Sequence, residues 1–413
     1  MNLKRTILTN GLHVLVHEDH TTPLAAFNVV YNVGSRDESP NHTGMAHLME
    51  HFMFCGSKNV PNYDNALQNV GAINNAYTSQ DLTNYYIVLP AKNVETAFWL
   101  ESDRMLSLAF EQNALDIQKH VVIEEFKESF LNRPYGDLMM LFNELVYQQH
   151  PYQWLPIGKK TEHIAEVDMP KIKAFAEKFY CPDNAVLTIA GNVSADEMFK
   201  LAEKWFGDIP AGHAGPRLYP KEPLPAQPRL LTVERDVPSD VLIKGWLMCD
   251  RMSPDYYAFD LLSDMFGTGQ SSYLYQKLVV EKKMFTDISA SITGTRDEGV
   301  FMISGRPMEG VSVEQADEAL SDYLYGFQYD ENLHHDLLKV QHRAESILLN
   351  NEIKIDDRAS AIAVGEVISS AEYFMNEQQH YFDVTEEQVR QLTNHLFDEN
   401  YSHTLYYKTL SEK

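Results

Sequence analysis

Segments of strand-like and helix-like patterning alternate along the whole chain. Leu12 to His17 (LHVLVH) and Leu24 to Val33 (LAAFNVVYNV) are apolar and β-branched, which predicts strands. Thr43 to Phe54 repeats its apolar positions at helical spacing. So does the long stretch Asn113 to Gln149, in which Pro134-Tyr135-Gly136 predicts a break. Ala185 to Val193 (AVLTIAGNV) is a further predicted strand, closed by Gly191-Asn192. Asp208 to Pro228 carries six prolines and has no periodicity, so it reads as a linker.

A linker near mid-chain invites comparison of the two halves. The first half contains VHEDHTTPLAAFNVVYNVGS and then GMAHLMEHFMFCGS; the second contains VERDVPSDVLIKGWLMCDRM and then YAFDLLSDMFGTGQSS. Laying Val16 on Val233 and His47 on Asp260 gives offsets of 217 and 213, so the intervening loop is four residues shorter in the second copy. Both copies run strand, turn, strand, loop, helix. An internal duplication therefore accounts for the length of 413 residues better than unrelated domains of about 150 residues each.

Composition is ordinary for a globular protein, with 44% hydrophobic and 23% charged residues, which excludes a wholly disordered or fibrous chain. Thirty-four basic against 59 acidic residues give a net charge of −25, which argues against nucleic acid as a partner. Solubility explains that charge most simply, and it also suits basic peptides as ligands. The three cysteines, Cys55, Cys181 and Cys249, are far apart and form neither a disulfide framework nor a metal knuckle. The opening MNLKRTILTNGLHVLVHEDH lacks the apolar stretch of a signal peptide, and no run approaches 18 apolar residues. The expectation is a cytoplasmic protein that does not engage membranes.

Candidate chemistry is concentrated in Gly44 to Phe54 (GMAHLMEHFMF), which holds the pattern H-x-x-E-H. On a helix, His47 and His51 stand one turn apart on one face, so both imidazoles can reach one ion. Glu50 projects beside that face, where a carboxylate can take a proton from metal-bound water. The order is the inverse of the commoner H-E-x-x-H. Three titratable groups among Met45, Leu48, Met49, Phe52, Met53 and Phe54 are costly to bury without a partner, and a metal supplies one. His17 to His20 (HEDH) matches neither order and carries no site.

A hydrolytic zinc ion needs a third protein ligand. At about 100° per residue, Ile117, Val121, Val122, Ile123, Phe126 and Phe130 define an apolar arc. Glu125 falls inside it, whereas Glu124 and Glu128 lie at or beyond its edge. A carboxylate facing an apolar surface is the one that requires a partner, which selects Glu125.

Together these segments resemble the pitrilysin/insulysin family of inverted-motif zinc peptidases, and in particular its short branch of mitochondrial-processing-peptidase-like proteins. The likeness rests on several stretches beside H-x-x-E-H. Val121-Val122-Ile123-Glu124-Glu125 matches the family's V-V-x-E-E, with the second Glu 74 positions after His51. Thr9 to Val14 matches T-N-G-L-x-V, Gly71 to Thr78 matches a segment containing N-A-x-T, and His150 to Lys159 matches H-P-Y…P-I-G-K. The resemblance implies an α+β fold of two homologous α/β domains, each a mostly antiparallel sheet flanked by helices. It implies one zinc per chain on His47, His51 and Glu125, with Glu50 as base. It further implies that Asn74, Asn75 and Ala76 pair with substrate backbone as an added strand, and that chains pair as homodimers or as heterodimers with a related subunit. The expected division is a catalytic domain over 1–213, a linker over 214–228 and a metal-free second domain over 229–413, where Asp260, Ser263 and Asp264 replace the motif residues.

Two positions depart from the family pattern. Gln118 stands where many relatives have a supporting Glu. After the G-x-G-x-S-S stretch, here Gly267 to Ser272, relatives carry an Arg and a Tyr that hold the substrate carbonyl, but alignment places Val279 and Thr286 there. The Gly-rich stretch lacks the Lys-Ser/Thr ending of a phosphate loop, so it reads as a turn. The expected function is zinc-dependent endopeptidase activity. The alternative is a non-catalytic or half-site subunit of a larger peptidase-like complex; metal storage, with one site per chain, ranks below both.

Overall fold

The computed structural model describes residues 3–329 and 331–410. Its strands fall into two sheets. The first is built from β1 (Leu3–Ile7), β2 (His13–Glu18), β3 (Leu24–Tyr31), β4 (Ile73–Thr78), β5 (Thr83–Pro90) and β6 (Ala185–Gly191), in the order β1-β2-β6-β3-β5-β4. The second uses β7 (Arg229–Arg235), β8 (Val241–Leu247), β9 (Phe285–Ile292), β10 (Val300–Pro307) and β11 (His403–Thr409), in the order β7-β11-β8-β10-β9. Without β1, the two orders are the same topology. Each sheet also has one parallel pair at the equivalent place, β2 with β6 and β7 with β11, and is otherwise antiparallel. The offset of 217 read from sequence carries β3 onto β8, and the offset of 213 carries the helix Met45–Met53 into the helix Tyr256–Gly267. The α+β class, the mostly antiparallel sheets and the two homologous halves stand as expected.

The inner strands of the first sheet, β2, β3, β5 and β6, are largely buried because both faces of the sheet are covered there. One face packs Phe27, Val29 and Tyr31 beneath helices that contribute Leu48, Phe52, Phe98 and Phe206. The other face presents Leu15, Ala26, Val30, Val88 and Ala190 to the helix Ile355–Ile368, which contributes Ala359, Ile362 and Ala363. Small residues there let the helix lie close to the sheet. Its Ser360 hydroxyl accepts from the Nδ2 groups of Asn28 (2.9 Å) and Asn84 (3.2 Å), both buried. In the second sheet, Val241, Ile243, Val300 and Leu405 pack against Phe142, Val146 and Tyr152.

The chain separates into two compact units, and neither is continuous in sequence. The first comprises 1–127, 154–219 and 349–376; the second comprises 128–153, 220–348 and 377–413. A single division at 214–228 therefore does not describe the packing. The helix Leu138–Val146 is built into the second unit and the helix Ile355–Ile368 into the first, because each covers the apolar face of that unit's sheet. The predicted break in 113–149 is real: the α-helix Gln112–Phe126 passes into a π-helical turn, and Tyr135 (φ 62°) precedes the next helix. The proline-rich segment is irregular, as expected, but it is anchored. Arg217 donates to the Asn32 carbonyl and the Asp37 carboxylate, both at 2.6 Å, and Tyr219 to Asp37 at 2.6 Å. Among the described residues no helix is long and apolar enough to cross a membrane.

A buried imidazole in the second unit gives a prediction about stability. His403 on β11 is fully buried, and desolvation, with the Arg229 charge next, holds its pKa down to about 4. In the unfolded chain the group titrates near about 6.5. Between these values the unfolded chain binds a proton that the folded chain refuses, so this contribution is present above pH 6.5 and is lost on acidification towards 4. One such group changes stability by at most about 1.4 kcal/mol per pH unit. Denaturant titrations of the parent and His403→Gln across this window should show a shallower pH slope in the variant. Equal slopes would remove His403 as the cause.

Candidate metal and catalytic site

The H-x-x-E-H segment forms the helix Met45–Met53, and its start is fixed from two directions. Gly44 adopts φ +88°, and a Cβ there would lie 2.3 Å from Ile164 Cδ1 and 2.8 Å from the Ile157 carbonyl. Gly158 lies against the same turn, where a Cβ would meet the Thr43 carbonyl at 2.9 Å. The Lys159 amide donates to Thr43 Oγ1 (2.8 Å), so the Pro156-Ile157-Gly158-Lys159 stretch braces the helix start. Glu38 caps the start of the helix, accepting from the Gly44 (2.8 Å) and Ala46 (2.7 Å) amides. The side chain satisfies orphan N–H groups, and burial pushes its pKa up to about 8.

One turn apart, the imidazoles of His47 and His51 turn towards Glu125 of the helix Gln112–Phe126. His51 Nε2 lies 3.5 Å from Glu125 Oε2, and His47 Nε2 lies 4.0 Å from Oε1. One ligand atom from each of the three residues lies within 4.8 Å of the others. Donors about 2.1 Å from a tetrahedral zinc ion stand about 3.4 Å apart. The His51–Glu125 edge already has about that length, and no edge of the group exceeds 4.8 Å. Among the described residues this is the one group of three or more His, Cys, Asp or Glu residues able to hold a metal ion.

The electrostatics suit a cation. Burial, and then the neighbouring His51, hold His47 down to about 4, so it is neutral near pH 7 and has a free lone pair. Glu125 is lowered by its hydrogen bond to His51 and is ionised. That same bond raises His51, so a metal binding its ring nitrogen would compete with a proton. Glu50 is raised by desolvation, against the lowering effect of a hydrogen bond from Thr78. That bond runs from Thr78 Oγ1 to Glu50 Oε2 at 2.5 Å.

Glu125 reaches the site for a reason other than the one its helical position suggested. The apolar arc is only partly buried: Val122 and Phe126 are covered, but Ile117 and Val121 are 50% and 44% exposed. Glu125, with its side chain 42% exposed, leaves the helix at the margin of the buried stripe, towards the two imidazoles. Glu124 is exposed and pairs with Lys127 at 2.7 Å. Gln118, two turns before Glu125 on the same face, acts on the His51 ring and the Cys55 thiol, helping to raise the first and to lower the second. That contact was readable from its spacing of seven residues. Glu38 had no comparable local signal, and the N-A-x-T segment marked Thr78 without indicating its bond to Glu50 across the fold.

Asn74, Asn75 and Ala76 lie on β4, which ends the sheet order and pairs only with β5 among the described strands. Its alternating exposure and its link through Thr78 to Glu50 place an open strand edge beside the motif helix. In the second unit, the residues equivalent to the motif are committed elsewhere. Asp260 accepts from Tyr381 Oη (2.5 Å), and Asp264 from Thr268 Oγ1 (2.8 Å) and Arg343 (2.5 Å). Val279 lies in a π-helical turn, and Thr286 Oγ1 donates to the Arg306 carbonyl at 3.2 Å.

Residues 13–150 match the family model described as insulinase (peptidase family M16), and residues 166–333 match the one described as peptidase M16 inactive domain. The chain is 28% identical over 407 residues to the zinc protease PqqE of Helicobacter pylori, covering 97% of this chain and 91% of that one. It is 28% identical over 222 residues to the mitochondrial-processing peptidase subunit beta of Saccharomyces cerevisiae, covering 53% of this chain and 47% of that one. The crystal structure of a protease from Helicobacter pylori superposes with a TM-score of 0.90 at 27% identity, covering 98% of this chain and 99% of that one.

Proposed function

The chain belongs to the M16 (insulinase) peptidase family, and from that premise we propose that it is a zinc-dependent endopeptidase acting on extended peptide segments. The observation that carries the proposal is the convergence of His47, His51 and Glu125, with Glu50 alongside. In this role the first three residues hold one zinc ion. Bound there, zinc supplies a Lewis acid that polarises a peptide carbonyl and lowers the pKa of water. Glu50 takes the proton at its Oε1 and later returns it to the leaving amine. The open edge of β4, at Asn74 to Ala76, receives the substrate backbone as an added strand, a mode that favours extended substrates over a fixed sequence. The net charge of −25 favours basic peptides among them.

Glu125→Gln keeps the size of the side chain and removes its charge. We expect that variant to lose most of its bound metal on dialysis against a weak chelator. Glu124→Gln and Glu128→Gln should stay near one zinc per chain. Metal analysis of the three variants decides it, and loss from Glu124→Gln alone would overturn the assignment. A second arrangement is favoured by one observation, the absence of a cation and a phenol at positions 279 and 286. In it the chain contributes the zinc half of a site shared with a related subunit.

A further inference from the structure

We infer that Thr78 is a positioning residue that fixes which oxygen of Glu50 is free to act as base; the inference rests on the peptidase function proposed above. Glu50 leaves the motif helix about 100° round from His51, on the flank that faces β4. A Glu side chain has several rotamers, and a base must keep one oxygen aimed into the space that the three ligand residues enclose. Thr78, the last residue of β4, restricts that choice through its 2.5 Å hydrogen bond to Glu50 Oε2.

The direction of the bond follows from counting protons. Thr83 pairs with Thr78 across the two strands, and its hydroxyl donates its single proton to the Val33 carbonyl at 2.9 Å. Thr83 is therefore only an acceptor towards Thr78, whose oxygen lies 3.4 Å away. Thr78 has one proton and two acceptors in reach. The carboxylate is much the closer of them and carries charge, so it takes the bond. Oε2 is thereby committed as an acceptor, and Oε1 is left as the oxygen that can receive a proton. Both Glu50 and Thr83 are buried, so water does not readily substitute for either bond. Thr78 also ends the strand whose free edge is assigned to substrate. Docking of the peptide and aiming of the base thus share one rigid element.

The test compares Thr78→Val, which keeps the shape and removes the hydroxyl, with Thr78→Ser, which keeps the hydroxyl. Zinc content, KM and kcat are measured on a quenched basic peptide with the full chain, and the Glu50 rotamer is read from crystals of each variant. Thr78→Val should hold zinc normally, keep KM within about threefold and lose kcat on the order of 10²-fold, the usual cost of a misplaced catalytic group. Its Glu50 side chain should leave the parent rotamer. Thr78→Ser should restore both. An unchanged kcat and rotamer in Thr78→Val would overturn the inference, as would a Thr78→Ser variant equally defective, which would point to the methyl group. If Glu50→Gln is inactive while Thr78→Val is fully active, the inference fails and the peptidase function stands. If the parent neither binds zinc nor cleaves peptide, the peptidase function fails, and the Glu50 rotamer alone then decides whether Thr78 positions it.

Discussion

Replacing Glu50 with Gln is expected to abolish measurable peptide turnover while zinc stays near one per chain. The side chain is buried, is held by Thr78 and feels the His51 imidazole, yet it does not belong to the group of atoms that converges on one point. Its amide isostere keeps the volume and can still accept from Thr78, so neither the helix nor the ligand geometry is disturbed. What disappears is a group able to take a proton. General-base catalysis contributes about 10²–10⁴ in rate, and a variant lacking its base falls by at least that range in kcat with little change in KM. Metal analysis alongside kinetics separates the two functions of the segment. Loss of zinc from Glu50→Gln would make Glu50 a ligand and overturn the division of roles between it and Glu125.

The site was legible in sequence where its geometry is helical and local. Two His at i and i+4 with a Glu between them specify one face and one flank whatever surrounds them, and the helix Met45–Met53 presents them so. The third residue was reached by spacing and by an argument about faces. The structure brings Glu125 to the two imidazoles, but Ile117 and Val121, counted in the apolar arc, are exposed. Periodicity reports which residues share a side of a helix but does not say how far the neighbouring layer extends over it. The duplication was legible as well, because strand and helix patterns are periodic and the linker separates two copies of them.

What the sequence withheld is tertiary. Nothing local marks the helix Leu138–Val146 as cover for the second sheet, or Ile355–Ile368 as cover for the first. Their apolar stripes would fit any sheet face of the right size. The same holds for Thr78 and Glu38, polar residues whose partners lie 28 positions and six or more positions away across turns. Such contacts depend on which loops return to which helix end. The proline-rich segment shows a related limit: a lack of periodicity correctly indicated irregular backbone, but not that Arg217 and Tyr219 anchor it to Asn32 and Asp37.

The second large effect concerns what the chain lacks. A site that cleaves amides needs donors aimed at the oxygen on which negative charge develops, and removing one such donor typically costs about 10²–10³ in rate. In relatives an Arg and a Tyr of the second domain are implied in that role. Val279 has no donor to offer, and the short Thr286 hydroxyl is spent on the Arg306 carbonyl. Arg306, opposite Asp287 in the strand register, is ion-paired with it at 3.3 Å. We therefore expect the purified chain with saturating zinc to be a slow peptidase. Adding a related subunit that carries the Arg and Tyr should raise turnover of a quenched basic peptide by about 10²–10³. The metal-ligand variant Glu125→Gln should cancel the gain even though the partner is intact, because the zinc half of the site is then missing. A partner whose own Arg and Tyr are replaced should bind without activating. If instead this chain alone cleaves as fast as the mixture, the carbonyl-holding groups are already present in it and the shared site is wrong.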